Sequence, residues 1–286
     1  MPNPPPTSIF HPRRILVRGV NWLGDAVMTT PALLRLRERF PEAHIALLSP
    51  EKLGDLWRPH PVVNEVLTFA AGESLFVVRR KLRAGNFDLA LMLPNSPRSA
   101  LEAWLARIPQ RIGYARPWRN WFLTQTISPR SGHVRMRKKS ESEIRSLTGT
   151  AGVDSSIAKR PSPNATAHQI HEYLHLTAAL GANPAPLAPQ LSATDREIAA
   201  VRARFQLDPN RAIFALNPGA EYGPAKRWPA ERFIAAAREI QQRTNCFWLI
   251  LGGKTDVELA TRITTEITHH APRYRSTSPA SLRSAN

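Results

Sequence analysis

Residues 17–40 read VRGVNWLGDAVMTTPALLRLRERF: an apolar strand ending at Gly19, a turn carrying Asn21, Trp22, Gly24 and Asp25, and then an amphipathic helix. Glycine closes a parallel strand where the chain must leave the sheet sharply. Thr29 and Thr30 ahead of Pro31 mark the expected helix start, since a hydroxyl caps and proline is tolerated at the first helical position. Met28, Ala32, Leu33, Leu36 and Phe40 fall near a 3.6-residue period, with Arg35, Arg37, Glu38 and Arg39 opposite, so the apolar stripe packs on a sheet. Asp25 stands at the carboxyl end of this first strand, where open parallel sheets place their ligands. By position alone it either caps the helix or acts as a general base.

Working outward, apolar strands are expected at 44–48 (HIALL), 62–69, 87–93 (FDLALML) and 111–114, with helices at 51–57, 75–84 and 99–108 between them. Strands and helices alternating at this spacing predict a parallel sheet with crossover helices, a Rossmann-like domain. From residue 115 the text changes to ARPWRNWFLTQTISPRSGHVRMRKKS, where Trp118, Trp121 and Phe122 alternate with Arg116, Arg119, Arg130, Arg135, Arg137, Lys138 and Lys139. Such a mixture stacks on bases, covers sugars or sits at a membrane interface. The plainer reading is a loop whose tryptophans plug the open edge of the domain.

A helix follows at 168–180, and the stretch NPAPLAPQ at 183–190 is the linker expected between two domains. His168, His171 and His175 recur at helical spacing, but without carboxylates beside them they read as surface histidines and not as a metal site. The second half restarts the rhythm: a helix at 195–205, a strand at 212–216, the loop NPGAEYGPAKRWP at 217–229, a helix at 230–243, the strand FWLIL at 247–251, Gly252-Gly253, and a helix at 256–267. Residues 269–286 contain no apolar run and are expected to be disordered. The expected organisation is thus a flexible start (1–12), a first Rossmann-like domain (13–182), the linker, a partial second one (191–268) and the tail.

Composition bounds the function. The 286 residues carry 39 basic and 22 acidic side chains, a formal charge of +17, which calls for an acidic partner: nucleic acid, anionic lipid or a phosphorylated substrate. No recognised nucleic-acid-binding motif accompanies the charge. The single cysteine, Cys246, excludes an intrachain disulfide and a cysteine-based metal site. No apolar run reaches the length of a membrane span, and the proline-rich start is no signal peptide, so a cytoplasmic protein is expected.

Within the loop at 217–229, Gly219 and Gly223 permit close backbone approach, and Lys226 with Arg227 place positive charge just before a helix N-terminus. That combination suits a diphosphate, although the spacing is not that of a Walker loop. Gly252-Gly253 with Asp256 is a weaker echo of the same arrangement.

RGVNWLGDAVMTTPALLRLRERFP, LNPGAEYGPAKRWPAERF and LILGG together resemble the ADP-heptose:lipopolysaccharide heptosyltransferases, and among them the heptosyltransferase II type. The resemblance covers residues 14–267, with a weaker middle. It implies a GT-B type glycosyltransferase of two Rossmann-like domains, an ADP-heptose donor, an anionic lipopolysaccharide inner-core acceptor, and neither metal nor other cofactor. Asp25 then matches the base that deprotonates the acceptor hydroxyl, whose oxygen displaces ADP with inversion, and Lys226 matches the lysine on the diphosphate. Gly219, Gly223, Arg227, Gly252 and Gly253 fall to the donor side. Asn21, Trp22, Gly24, Arg116, Trp118, Arg119 and Trp121 are candidates for the acceptor, with peripheral contact at the inner face of the inner membrane and no specific nucleic acid. Members of the family also carry an Asp, Ser or Thr, Gly and His motif after a later strand, and none follows Gly253 here. The expectation is therefore a second domain cut short, with a catalytically inactive remnant that retains only glycolipid binding as the alternative function.

Overall fold

The computed structural model describes residues 11–130, 140, 142, 168–220 and 226–268. The expected tail and most of the flexible start lie outside these residues, as do Gly223 and the basic cluster from Arg135 to Lys139. Two compact units divide between Thr194 and Asp195.

The first unit is built on six parallel strands: β1 (Arg14–Arg18), β2 (His44–Pro50), β3 (Glu65–Phe69), β4 (Leu89–Met92), β5 (Gln110–Tyr114) and β6 (Gln125–Ile127), in the order β3-β2-β1-β4-β5-β6. This is the doubly wound order, whose direction reverses between β1 and β4 and opens a crevice at their carboxyl ends. The apolar runs of β1, β2 and β4 supply both layers of core. Ile15, Val17, Ile45, Leu47, Leu89 and Leu91 face one layer, with α1 (Leu23–Arg39) and α5 (Ile170–Ala178). Leu16, Ala46, Leu48, Ala90 and Met92 face the other, with α3 (Leu75–Ala84) and α4 (Pro97–Leu105). Burial on both faces is why these strands read as continuous apolar runs and not as alternating ones. A 3₁₀ turn at Glu51–Leu53 and the short α2 (Gly54–Trp57) link β2 to β3.

Helix α1 begins at Leu23, six residues before the expected cap at Thr29, and runs through Pro31. Proline has no N–H to give the carbonyl four residues back, which orphans that of Val27. The Thr30 hydroxyl donates to it at 2.9 Å, and Thr29 Oγ1 donates to the Ala26 carbonyl at 2.7 Å. Thr30 therefore repairs the helix interior, and Thr29 bonds back within it, where capping was expected. The segment read as the linker lies against the same helix: Arg35 Nε donates to the Ala185 carbonyl, and Thr30 Oγ1 accepts from the Gln190 N–H, both at 3.0 Å.

The second unit holds α6 (Asp195–Arg204), β7 (Ile213–Leu216), α7 (Ala230–Thr244), β8 (Phe247–Ile250) and α8 (Val257–Thr268), with β7 and β8 paired in parallel. Its core is Ile234, Ala237, Ile263 and Ile267, backed by Leu216, Phe233, Trp248, Ile250 and Leu259. Ile213 and Phe214 of β7 remain exposed.

Candidate active site

The carboxyl end of β1 is closed by a tight crossing. Gly19 donates to the Leu48 carbonyl at 2.9 Å, and a Cβ on Gly19 would lie 3.2 Å from that oxygen, so a side chain would press on the β2 backbone. Val20 then turns inward, and Asn21, Trp22 and Gly24 face solvent. Trp22 is the extended N-cap residue of α1, its carbonyl accepting from Ala26 N–H at 2.8 Å, and no side chain caps the helix.

Asp25 lies in the first turn of α1, part-buried. The cap position is held by Trp22, so Asp25 is not the N-cap residue of the helix. Burial raises its pKa above the ordinary carboxylate value. Desolvation disfavours the charged form of a carboxyl group. Behind it stands Tyr173 of α5, whose phenol is pushed up first by burial and then by the Asp25 charge, while its hydroxyl accepts from Gln169 Nε2 at 2.8 Å. A partly desolvated carboxylate with a raised pKa at a sheet's switch point has the attributes of a general base.

Two features of this edge were not apparent from the sequence. Lys52, in the 3₁₀ turn after β2, places its ammonium 5.0 Å from the Trp22 ring centroid, so positive charge overhangs the turn that delivers Asp25. Beneath the turn, Arg18 of β1 is 4% exposed and Glu102 of α4 is 1% exposed. Arg18 Nε donates to Glu102 Oε2 at 2.9 Å, and Arg98 Nε donates to Oε1 at 3.0 Å. Arg18 Nη1 reaches the Gly19 carbonyl at 2.6 Å and its guanidinium covers the Phe69 ring at 4.4 Å. One buried carboxylate thus holds an arginine that in turn fixes the backbone of the turn. A charged residue inside an apolar strand followed by glycine was the only sequence signal for it.

The aromatic–basic segment separates into inward and outward residues. Arg119 is fully buried and donates through Nη1 to the Pro94 carbonyl at 2.9 Å and to Asn95 Oδ1 at 3.2 Å. Burial, then the nearby Arg116 charge, lower its pKa to about 10, so it stays protonated at neutral pH. Arg116 is half-buried, and Trp118 and Trp121 point into solvent. They do not plug the edge of the sheet. Asn95 and the Ser96-capped start of α4 lie at the end of β4, on the other side of the switch point from Asp25.

In the second unit, Asp256 gathers the donor-side candidates. Its Oδ2 accepts from Gly253 N–H at 2.9 Å, and its Oδ1 lies 3.7 Å from Arg227 Nη2. A Cβ on Gly219 would collide with this carboxylate, and one on Gly252 would come within 2.9 Å of its Cβ. Gly219, Arg227, Gly252 and Gly253 are thereby brought together, and Arg227 also donates to the Ala220 carbonyl at 3.3 Å. Lys226 is exposed just before α7, beside them in sequence.

Among the described residues, no three His, Cys, Asp or Glu side chains group as metal ligands. His168 Nδ1 accepts from the Ile170 N–H at 3.2 Å, and His175 Nε2 lies 3.2 Å from the Ser128 carbonyl, so two of the three helical histidines serve local structure.

Comparison with known proteins converges on one family. The glycosyltransferase family 9 (heptosyltransferase) profile matches residues 147–275. Lipooligosaccharide heptosyltransferase 2 of Haemophilus ducreyi is 27% identical over 266 residues, 91% of this chain and 69% of that protein. Lipopolysaccharide heptosyltransferase 2 of Escherichia coli K12 is 30% identical over 235 residues, 79% of this chain and 60% of that protein. The chain thus spans 60% to 69% of the length of these relatives. The solved structure of E. coli ADP-heptose lps heptosyltransferase II superposes with a TM-score of 0.66 at 25% identity, covering 89% of this chain and 70% of that one. A family 9 glycosyltransferase from Veillonella parvula shares the fold, with a TM-score of 0.69 at 21% identity over 88% of this chain and 66% of that one. The two mainly parallel units have the fold of a GT-B glycosyltransferase, and the relatives that the chain resembles are those of glycosyltransferase family 9, the heptosyltransferases.

Proposed function

We propose that this protein transfers a heptose from ADP-heptose to the inner core of lipopolysaccharide, in the manner of a heptosyltransferase II. The observation that carries the proposal within the chain is Asp25: a carboxylate in the first turn of α1 but not at its cap position, with its pKa raised by burial, at the carboxyl edge of β1 beside the switch point. Asp25 accepts the proton of an acceptor hydroxyl, and the oxygen attacks the anomeric carbon. The bond to the ADP oxygen breaks with inversion, and the diphosphate leaves with its electron pair. Lys226 and the N-terminus of α7 stabilise the charge that develops on it. Gly219 and Gly252 leave room for the Asp256 side chain, through which Gly253 and Arg227 order the loop on the donor side.

The acceptor is read as lying over Asn21, Trp22 and Gly24, with Lys52 supplying charge to its anionic groups. The protein would work at the cytoplasmic face of the inner membrane, where such a glycolipid is exposed. Among the described residues no helix is long and apolar enough to cross a membrane.

The test is transfer of labelled heptose from ADP-heptose to a heptose-deficient core acceptor by the purified protein. Product above a no-enzyme control is expected. Acceptor retention without transfer and without ADP binding by equilibrium dialysis would support the alternative, an inactive remnant that binds glycolipid.

A further inference from the structure

The turn between β5 and β6 is built unlike an ordinary loop. Arg116 N–H donates to Asn120 Oδ1 at 2.9 Å, Phe122 N–H to the Arg119 carbonyl at 3.0 Å, and Leu123 N–H to the Asn120 carbonyl at 3.1 Å. Arg111 Nε holds the Phe122 carbonyl at 2.7 Å. Arg119 points inward as a bolt to the end of β4, packed so closely on Gly113 that a Cβ there would come within 2.7 Å of Nη2. Fixed in this way, the turn aims two indoles outward: Trp118 is 82% exposed and Trp121 86%, more than any other large apolar side chain of the described residues. Trp118 sits at φ +64°, a left-handed conformation that L side chains rarely adopt. Below them Trp104 of α4, itself 46% exposed, packs on Phe122 with ring centroids 5.7 Å apart.

Among the described residues, neither the core nor the hydrogen bonding of the first unit uses the two indoles, and water is a poor solvent for them. The surface they form is aromatic, with the half-buried Arg116 beside it. Indole rings favour the headgroup layer of a bilayer, where an apolar body and a polar N–H are both accommodated. The chain's charge of +17 is attracted to an anionic lipid surface and not to a neutral one.

We propose that the turn carrying Trp118 and Trp121 is a membrane anchor, its two indoles entering the headgroup layer of an anionic bilayer with Arg116 against the lipid phosphates. This deepens the reading above, in which the acceptor is a membrane glycolipid, by separating the contact with lipid from the contact with saccharide.

The test uses the full chain and vesicles free of saccharide, of phosphatidylcholine alone or with about one quarter phosphatidylglycerol. In flotation, the wild type is expected to bind the anionic vesicles and not the neutral ones, with a blue shift of tryptophan emission. The Trp118→Ala/Trp121→Ala double variant is expected to lose roughly tenfold or more in apparent affinity at the same salt concentration, and most of the blue shift. Trp118→Gly removes one indole at a backbone conformation glycine prefers, so it is expected to fold at least as well and still bind more weakly. Equal binding by wild type and both variants would overturn the proposal in favour of charge alone. So would a wild type that ignores vesicles but self-associates in sedimentation in a way the double variant abolishes. Vesicle binding without heptose transfer would sink the proposed reaction and leave the anchor standing.

Discussion

Asp25 is held in a form that the fold itself resists. Burial raises its pKa, so the folded state binds the proton more tightly than the unfolded chain does. The sign follows: stability from this group is full below the ordinary carboxylate pKa and is lost as pH rises through the raised value in the folded state. Replacing Asp25 by Asn is therefore expected to leave Tm unchanged or slightly raised at neutral pH, with the difference vanishing in acid. Thermal unfolding of both proteins across pH 4 to pH 8 checks this, and a lower Tm for the variant at neutral pH would show that the carboxylate is structural. Position in the sequence announced Asp25, but not its state: burial is set by the folded surroundings, and Tyr173, whose phenol feels the Asp25 charge, is brought near by a helix far along the chain.

At the level of elements, the support under the turn that delivers Asp25 is an ion network whose two halves differ in depth. Glu102→Gln leaves the buried Arg18 charge unpaired and is expected to destabilise the first unit by about 3–5 kcal/mol. Arg98→Ala removes a partner whose side chain is 44% exposed, and is expected to cost under about 1 kcal/mol. Urea unfolding of the two variants tests the ordering, and equal losses would contradict it. The elements themselves were largely legible. Helix α3 begins after Ser74, whose hydroxyl accepts from Phe76 N–H at 3.3 Å, and its span Leu75–Ala84 matches the expectation from periodicity. Helix α1 was misplaced at its start because proline at the first helical position is a sound preference that Thr30 overrides by supplying the missing donor. Strand β6 was not foreseen: Gln125, Thr126 and Ile127 have no apolar run, and their pairing with β5 is decided by tertiary contact. Likewise nothing local distinguished Arg119, which is buried, from Trp118 and Trp121, which are exposed.

Among the described residues, the first unit has a six-stranded doubly wound sheet and the second a parallel pair, β7 and β8. If the second unit holds the nucleotide, ADP at about 100 times its Kd is expected to stabilise that unit by about 2.7 kcal/mol, read as a rise in its unfolding temperature. Lys226→Ala is expected to remove most of that rise. No shift with ADP, or an equal shift in the variant, would count against Lys226 on the diphosphate.

The most direct measurement is single-turnover transfer of labelled heptose from ADP-heptose to a heptose-deficient core acceptor, by the wild type and by Asp25→Asn in parallel. The expected result is product from the wild type and a rate about 10²–10⁴-fold lower from the variant, as loss of a general base gives, with acceptor binding retained. Equal rates for the two proteins, or no product from the wild type, would contradict the assignment of Asp25 as the base of a heptosyl transfer.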